Sequence, residues 1–162
     1  MTELSLYNRQ KQHRANLPWL RKVLKAALPM CQAQATSPEA PLLHLTEIEF
    51  SIVSDTEITR IHAEFLDDPS PTDVITFHHG EILVSADTAL RQGSEHEQPL
   101  NQELALYLIH GLMHLAGWDD HETAEAAEMA RRQNDVLKQV CQKLGPAPDS
   151  ERIRASKDKL PE

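Results

Sequence analysis

Cysteine is scarce in this chain, and nowhere is there a long apolar run. Cys31 and Cys141 are the only two cysteines in 162 residues, isolated and at no metal-binding spacing. That excludes a disulfide framework and a cysteine-built zinc site, and it fits reduced thiols in a cytoplasmic protein. With no stretch of about 18 apolar residues, no membrane-spanning helix is expected. The opening residues Met1–Tyr7 have neither the basic nor the apolar region of a secretory leader, so none is expected. Internal repeats are absent as well. The chain is long enough for one domain with a sizeable core, expected over residues 1–145 and followed by a flexible tail at 146–162.

Charge of each sign is missing from one part of the sequence. The formal net charge is −9, which argues at first against a nucleic-acid partner. Yet residues 8–38 hold Arg9, Lys11, Arg14, Arg21, Lys22 and Lys25 and no acid, whereas residues 45–128 hold 18 acids against Arg60 and Arg91 alone. Such a chain can turn a basic face to phosphate while keeping an acidic body. A solvated amphipathic helix would carry the same pattern, and the sequence leaves both readings open.

The periodicities predict four strands and five helices. Leu4–Tyr7 alternates as a first strand. Asn16 caps a helix with Pro18 in its first turn and a core stripe of Trp19, Leu20, Val23, Leu24, Ala27 and Leu28. Residues 34–41 form a turn-rich loop, and the apolar run from Leu43 to Ile52 is expected as one strand. Ser54 or Asp55 starts a helix through Phe65 that buries Ile58, Ile61 and Phe65. Asp73–Phe77 and Glu81–Ser85 flank His78-His79-Gly80 as a hairpin. A helix over 85–91 and a polar loop over 92–99 follow. Asn101 is the expected cap of the next helix, with Leu104, Leu108, Leu112 and Leu115 in the core. The last helix starts at Thr123 or Asp120, packs Ala127, Ala130, Leu137, Val140 and Leu144, and ends before Pro146. The fold class is α+β, with a single small mixed sheet.

One stretch, His110-Gly-Leu-Met-His-Leu-Ala-Gly-Trp-Asp-Asp-His121, carries the chemistry. His110 and His114 are one helical turn apart and can converge on a single ion. Gly117 suits the residue that turns the chain out of the helix, and the exit delivers Asp119, Asp120 and His121. Two helix ligands and one from the exit leave an open position, as in a catalytic zinc site. A histidine pair alone would equally suit a partly buried helix face, and the acidic run could cap the next helix. Gly117 and the acids beyond it favour the metal, placed on a central helix.

With Pro71-Thr-Asp-Val-Ile-Thr-Phe77, this stretch resembles the YbeY family of metal-dependent endoribonucleases that mature ribosomal RNA. The family patterns are H-G-x-L-H-L-x-G-Y-D-H and P-T-D-V-[LI]-[ST]-F, and element order agrees from about residue 45 to 144. The resemblance implies a single-strand-specific endoribonuclease of rRNA maturation and ribosome quality control, with one Zn2+ per chain on His110, His114 and a third ligand. It also implies ribosomal RNA and the small ribosomal subunit as partners. The family's third histidine falls on Asp120, which preserves the spacing and can replace imidazole on zinc. His121, one residue late, is the alternative. The family's Arg is Leu66 here, its Asn is His62, a common Pro is His78, and a common Glu is Gln133.

The general base is left open among Asp73, Asp87, Glu103 and His78. An arginine near the metal would clamp a scissile phosphate, so Leu66 keeps a second reading alive: a ribosome-assembly factor with a structural or weakly catalytic metal. A peptide or amide hydrolase ranks third, because Gly111 stands where H-E-x-x-H proteases carry their glutamate base.

Overall fold

The computed structural model describes residues 1–68, 70 and 72–148. Four strands, β1 (Glu3–Asn8), β2 (Glu47–Val53), β3 (Val74–Phe77) and β4 (Glu81–Ser85), form one sheet in the order β1-β2-β4-β3. The first three are parallel, and β3 runs antiparallel to β4. The helices are α1 (Leu17–Gln32), α2 (Asp55–Leu66), α3 (Ala86–Glu95), α4 (Leu100–Leu115) and α5 (Thr123–Leu144). Among the described residues, the α+β class, the mixed four-stranded sheet and the five helices are as the sequence predicts.

The period of two in the strands places the helices. Ile48, Phe50, Ile52, Ile82 and Val84 point to one face, where they join the large core with α1, α4 and α5. Val53, Ile75 and Leu83 point to the other and meet Ile58 of α2 in a smaller cluster. Helix α4 is apolar almost all round: twelve of its sixteen residues are buried, as a helix enclosed by others requires. Each fully buried leucine there contributes roughly 1.5–3 kcal/mol.

Local chemistry sets the helix starts. Asn16 Oδ1 accepts the Trp19 N–H at 3.0 Å, Ser54 Oγ that of Glu57 at 3.2 Å, and Ser85 Oγ that of Thr88 at 3.2 Å. Asp55 ties α2 to α3, accepting from Ser85 Oγ at 2.5 Å, Thr88 Oγ1 at 2.7 Å and Arg91 at 2.8 Å. Burial works against the charge on Asp55, but these three donors win and hold its carboxyl below the usual range.

Several elements differ from expectation. Asn101 is not a cap: α4 starts after Pro99, and Asn101 lies fully buried in the first turn. Its side chain accepts from Asn16 N at 2.9 Å and donates to Pro148 O at 2.9 Å, joining the start of α1 to the end of the described chain. The run from Leu43 is split into a short 3-10 turn (Pro41–Leu43) and β2, because Leu42 and Leu45 reach the core from a turn. Helix α3 extends to Glu95 rather than Arg91. Phe65 is 63% exposed, since the α2 side of the sheet offers only a small apolar patch. In α5, Ala127 is exposed, and Met129, Val136, Leu137 and Val140 form the buried seam. Beyond Pro148 the expected tail lies outside the described residues.

Candidate metal centre

Helix α4 carries His110 and His114 on the side that faces α5, and the chain leaves the helix through Gly117 at φ +106. That left-handed conformation favours glycine. The Trp118 indole N–H then donates to Gln34 O at 2.8 Å, and the Arg132 guanidinium lies over the indole at 4.2 Å. Arg132 in turn donates to Gln34 Oε1 and Glu128. This clamp joins the end of α1, the exit loop and α5, and it aims the following residues back at the histidines.

One ligand-capable atom from each of His110, His114 and Asp120 lies within 4.8 Å of the other two. His110 Nε2 is 3.5 Å from Asp120 Oδ2, His114 Nε2 is 3.7 Å from Asp120 Oδ1, and the two Nε2 atoms are 3.1 Å apart. A tetrahedral ion with bonds of about 2.0–2.1 Å keeps its donors about 3.3 Å apart, so the spacing suits one small cation. His121 turns away: its ring is 84% exposed and lies 3.3 Å from Asp119 Oδ1.

Protonation makes the fit chemical as well as geometric. His114 Nδ1 lies 3.0 Å from Trp118 O, and His110 Nδ1 lies 2.7 Å from Gln133 Oε1. Trp118 O is a backbone carbonyl and only accepts, so His114 Nδ1 donates to it, and Gln133, with its amide oxygen toward His110, favours the same tautomer there. In that tautomer both Nε2 lone pairs face each other and the Asp120 carboxylate. Such an arrangement could hold a metal cation. Burial first, and His110 beside it second, push the His114 imidazole below its usual range, so the ring favours the neutral form that binds metal.

Gly111 has a packing reason. A Cβ there would lie 2.8 Å from both Cδ1 and Cγ2 of Ile82, so a bare backbone lets Ile82 of β4 pack directly against α4. A glutamate base has no room at this position.

The four candidate bases do not join the convergent group. Asp87 is engaged by His13 Nε2 at 2.7 Å and by the Asp55 N–H at 2.7 Å. Glu103 is in the first turn of α4, seven residues and about 10 Å of helix rise before His110. Burial raises its carboxyl pKa. Asp73 O accepts from Ser85 N, and its side chain borders a concavity with Thr72, Thr88 and Arg91. His78 is exposed in the β3–β4 turn. Leu66, in place of the family's arginine, is 49% exposed at the end of α2, and His62 Nδ1 lies 2.8 Å from Ser70 O.

A family model described as Endoribonuclease YbeY matches residues 5–141. The chain belongs to the YbeY endoribonuclease family. An Endoribonuclease YbeY from Syntrophotalea carbinolica is 30% identical over 86% of this chain and 97% of its own. One from Moorella thermoacetica is 30% identical over 83% and 95%. The fold is similar to the solution structure of TM1509 from Thermotoga maritima, with a TM-score of 0.59 and 24% identity over 86% of this chain and 90% of that one.

In the sequence, Gln133 is visible only as a departure from the family pattern. Its contact with His110 makes it the residue that orients that ring. Gln133→Leu is expected to weaken binding of a divalent ion about 10–100-fold while leaving the fold intact, as read by competition with a chelator. Unchanged affinity would mean that the ring is held by other contacts.

Proposed function

We propose that this YbeY-family endoribonuclease cuts single-stranded sites in ribosomal RNA, in the cytoplasm and on the small ribosomal subunit, with one divalent ion held by His110, His114 and Asp120. The observation that supports this is the pair of Nε2 lone pairs 3.1 Å apart beside the Asp120 carboxylate. Two imidazoles and a carboxylate suit zinc among the divalent ions. When bound, such an ion supplies a water of lowered pKa and polarises a phosphoryl oxygen.

The chain's own residues prepare that site. Gln133 and Trp118 hold the two rings in the Nδ1-protonated form, so little reorganisation is needed on binding. Asp120 adds a negative charge that favours a dication over a proton. The histidine side chains are only 20% and 23% exposed, while Asp120 is 40% exposed, so the group opens to solvent on the side of the exit loop. A scissile phosphate approaches from that side. Packing of Ile82 on Gly111 keeps the sheet side closed.

Cleavage of ribosomal RNA by wild type, His114→Ala and chelator-treated wild type, run side by side, tests the reading. Cleavage is expected in wild type alone, and zinc added back after the chelator is removed should restore it. Equal cleavage in all three would sink the proposal. No cleavage by wild type, together with activity gained in Leu66→Arg, would favour an assembly factor whose nuclease has faded.

A further inference from the structure

We propose a second RNA-binding site, on the outward face of α1 and the loop before it, that grips the phosphodiester backbone on a different surface from the His110–His114–Asp120 group. It rests on the reading that this chain acts on RNA.

The burial pattern of α1 carries the argument. Trp19, Leu20, Val23, Leu24, Ala27 and Cys31 are buried, and Arg21, Lys22 and Lys25 are exposed on the opposite side. The rise from Arg21 to Lys25 is about 6 Å, so three cations crowd little more than one turn. Lys11 and Arg14 continue the track in the loop before the helix, where they line a shallow concavity of about 340 Å3. Among the described residues, none of these five cations forms an ion pair, whereas Arg60, Arg91, Arg131 and Arg132 all do. Arg9 is not included, because it lies 3.6 Å from Glu49 and over the Tyr7 ring.

A groove makes the face more than a charged helix. Between α1 and the free edge of β1 is a cavity of about 270 Å3, floored by Leu4, Leu6 and Leu24 and rimmed by Arg21 and Lys25. Arg21 donates one N–H to Leu6 O at 3.1 Å, which anchors the side chain and leaves other donors free. The cationic rim suits a phosphate backbone, and the leucine floor offers a base apolar contact without an aromatic ring to stack on. The acidic remainder of the chain repels a polyanion and so steers it to this face.

The face lies apart from the candidate metal centre. The Asn16 N–H meets Asn101 at the start of α4, and Thr36 N donates to Ala116 O at its end, 2.9 Å away. Helix α1 therefore lies alongside α4 in the same direction, its buried side inward. The cations point away from both.

Anisotropy of a fluorescent single-stranded RNA oligonucleotide tests this, with chelator present so that nothing is cut. Wild type, the Arg21→Gln/Lys22→Gln/Lys25→Gln variant and the charge-preserving Arg21→Lys/Lys22→Arg/Lys25→Arg variant are compared across salt concentrations. Neutralisation is expected to weaken binding about tenfold or more at low salt and to flatten the slope of log K against log salt by about 2, since each single-strand phosphate contact contributes about 0.7. The charge-preserving variant should match wild type. Unchanged affinity and slope in the neutralised variant would overturn the proposal. So would binding to phosphatidylglycerol vesicles that is lost in that variant while RNA binding stays, which would assign the face to a membrane. RNA cleavage with no detectable RNA binding to α1 overturns this site alone, whereas absence of both cleavage and binding also removes the reading on which it rests.

Discussion

Asp120→Ala is expected to lose bound zinc and RNA cleavage together, while His121→Ala keeps both. Asp120 is the residue whose two carboxylate oxygens lie 3.5 and 3.7 Å from the paired Nε2 atoms. His121 is turned to Asp119 and solvent. Replacing a group that only orients a ligand costs about 10–100-fold in affinity or activity, and removing a ligand should cost at least the upper end of that range. Metal content of the purified protein and single-turnover cleavage provide the two readouts. Asp120→His is expected to retain zinc, because imidazole and carboxylate reach it at similar distances of about 2.0–2.2 Å. The opposite pattern, with zinc lost in His121→Ala and kept in Asp120→Ala, would move the third ligand by one residue and require a reshaped exit loop.

Gly117→Ala is expected to be the most damaging single methyl that can be added near the site. The backbone at Gly117 has φ +106, and a Cβ there would lie 2.0 Å from Thr36 Oγ1 and 3.2 Å from Thr36 Cβ. Strained backbone and overpacking each cost about 1–3 kcal/mol, so a loss of about 2–6 kcal/mol is expected. A lowered midpoint in urea unfolding with an unchanged slope would report it. Thr36→Ala in the same chain should recover part of the loss by removing the hydroxyl, but not the part due to φ. The surviving fraction should also bind zinc less well, because the exit loop carries Asp120. An unchanged midpoint would show that the loop yields freely, and the rigid presentation of Asp120 would then be wrong.

What was legible in the sequence follows from short-range physics. Asn16, Ser54 and Ser85 announce helix starts because a side-chain oxygen within three residues of a free N–H needs no tertiary context. Asn101 has the same chemistry and misleads, because its oxygen is taken by the Asn16 N–H from a distant part of the chain. Phe65 falls on the periodic face of α2 yet stays exposed, since periodicity says which side turns inward and not how wide the partner surface is. The β3–β4 hairpin was readable from its turn. Parallel pairing of β1 with β2 and of β2 with β4 was not, because it joins segments separated by helices.

The same division holds at the candidate centre. By itself the sequence determined that His110 and His114 share a helix face, because helical pitch leaves no other option four residues apart. It also determined that the chain turns sharply at Gly117, and that residues 8–38 are basic within an acidic whole. Only the tertiary structure decided that Asp120, rather than His121, returns to the histidines. It alone set Gln133 of α5 against one imidazole and the Trp118 carbonyl against the other, and so turned the two Nε2 atoms toward Asp120. It also put Ile82 where a side chain at Gly111 would have been. These are contacts between elements, set by how helices cross and how a sheet packs on them. No window of residues short enough to read by pattern contains both partners.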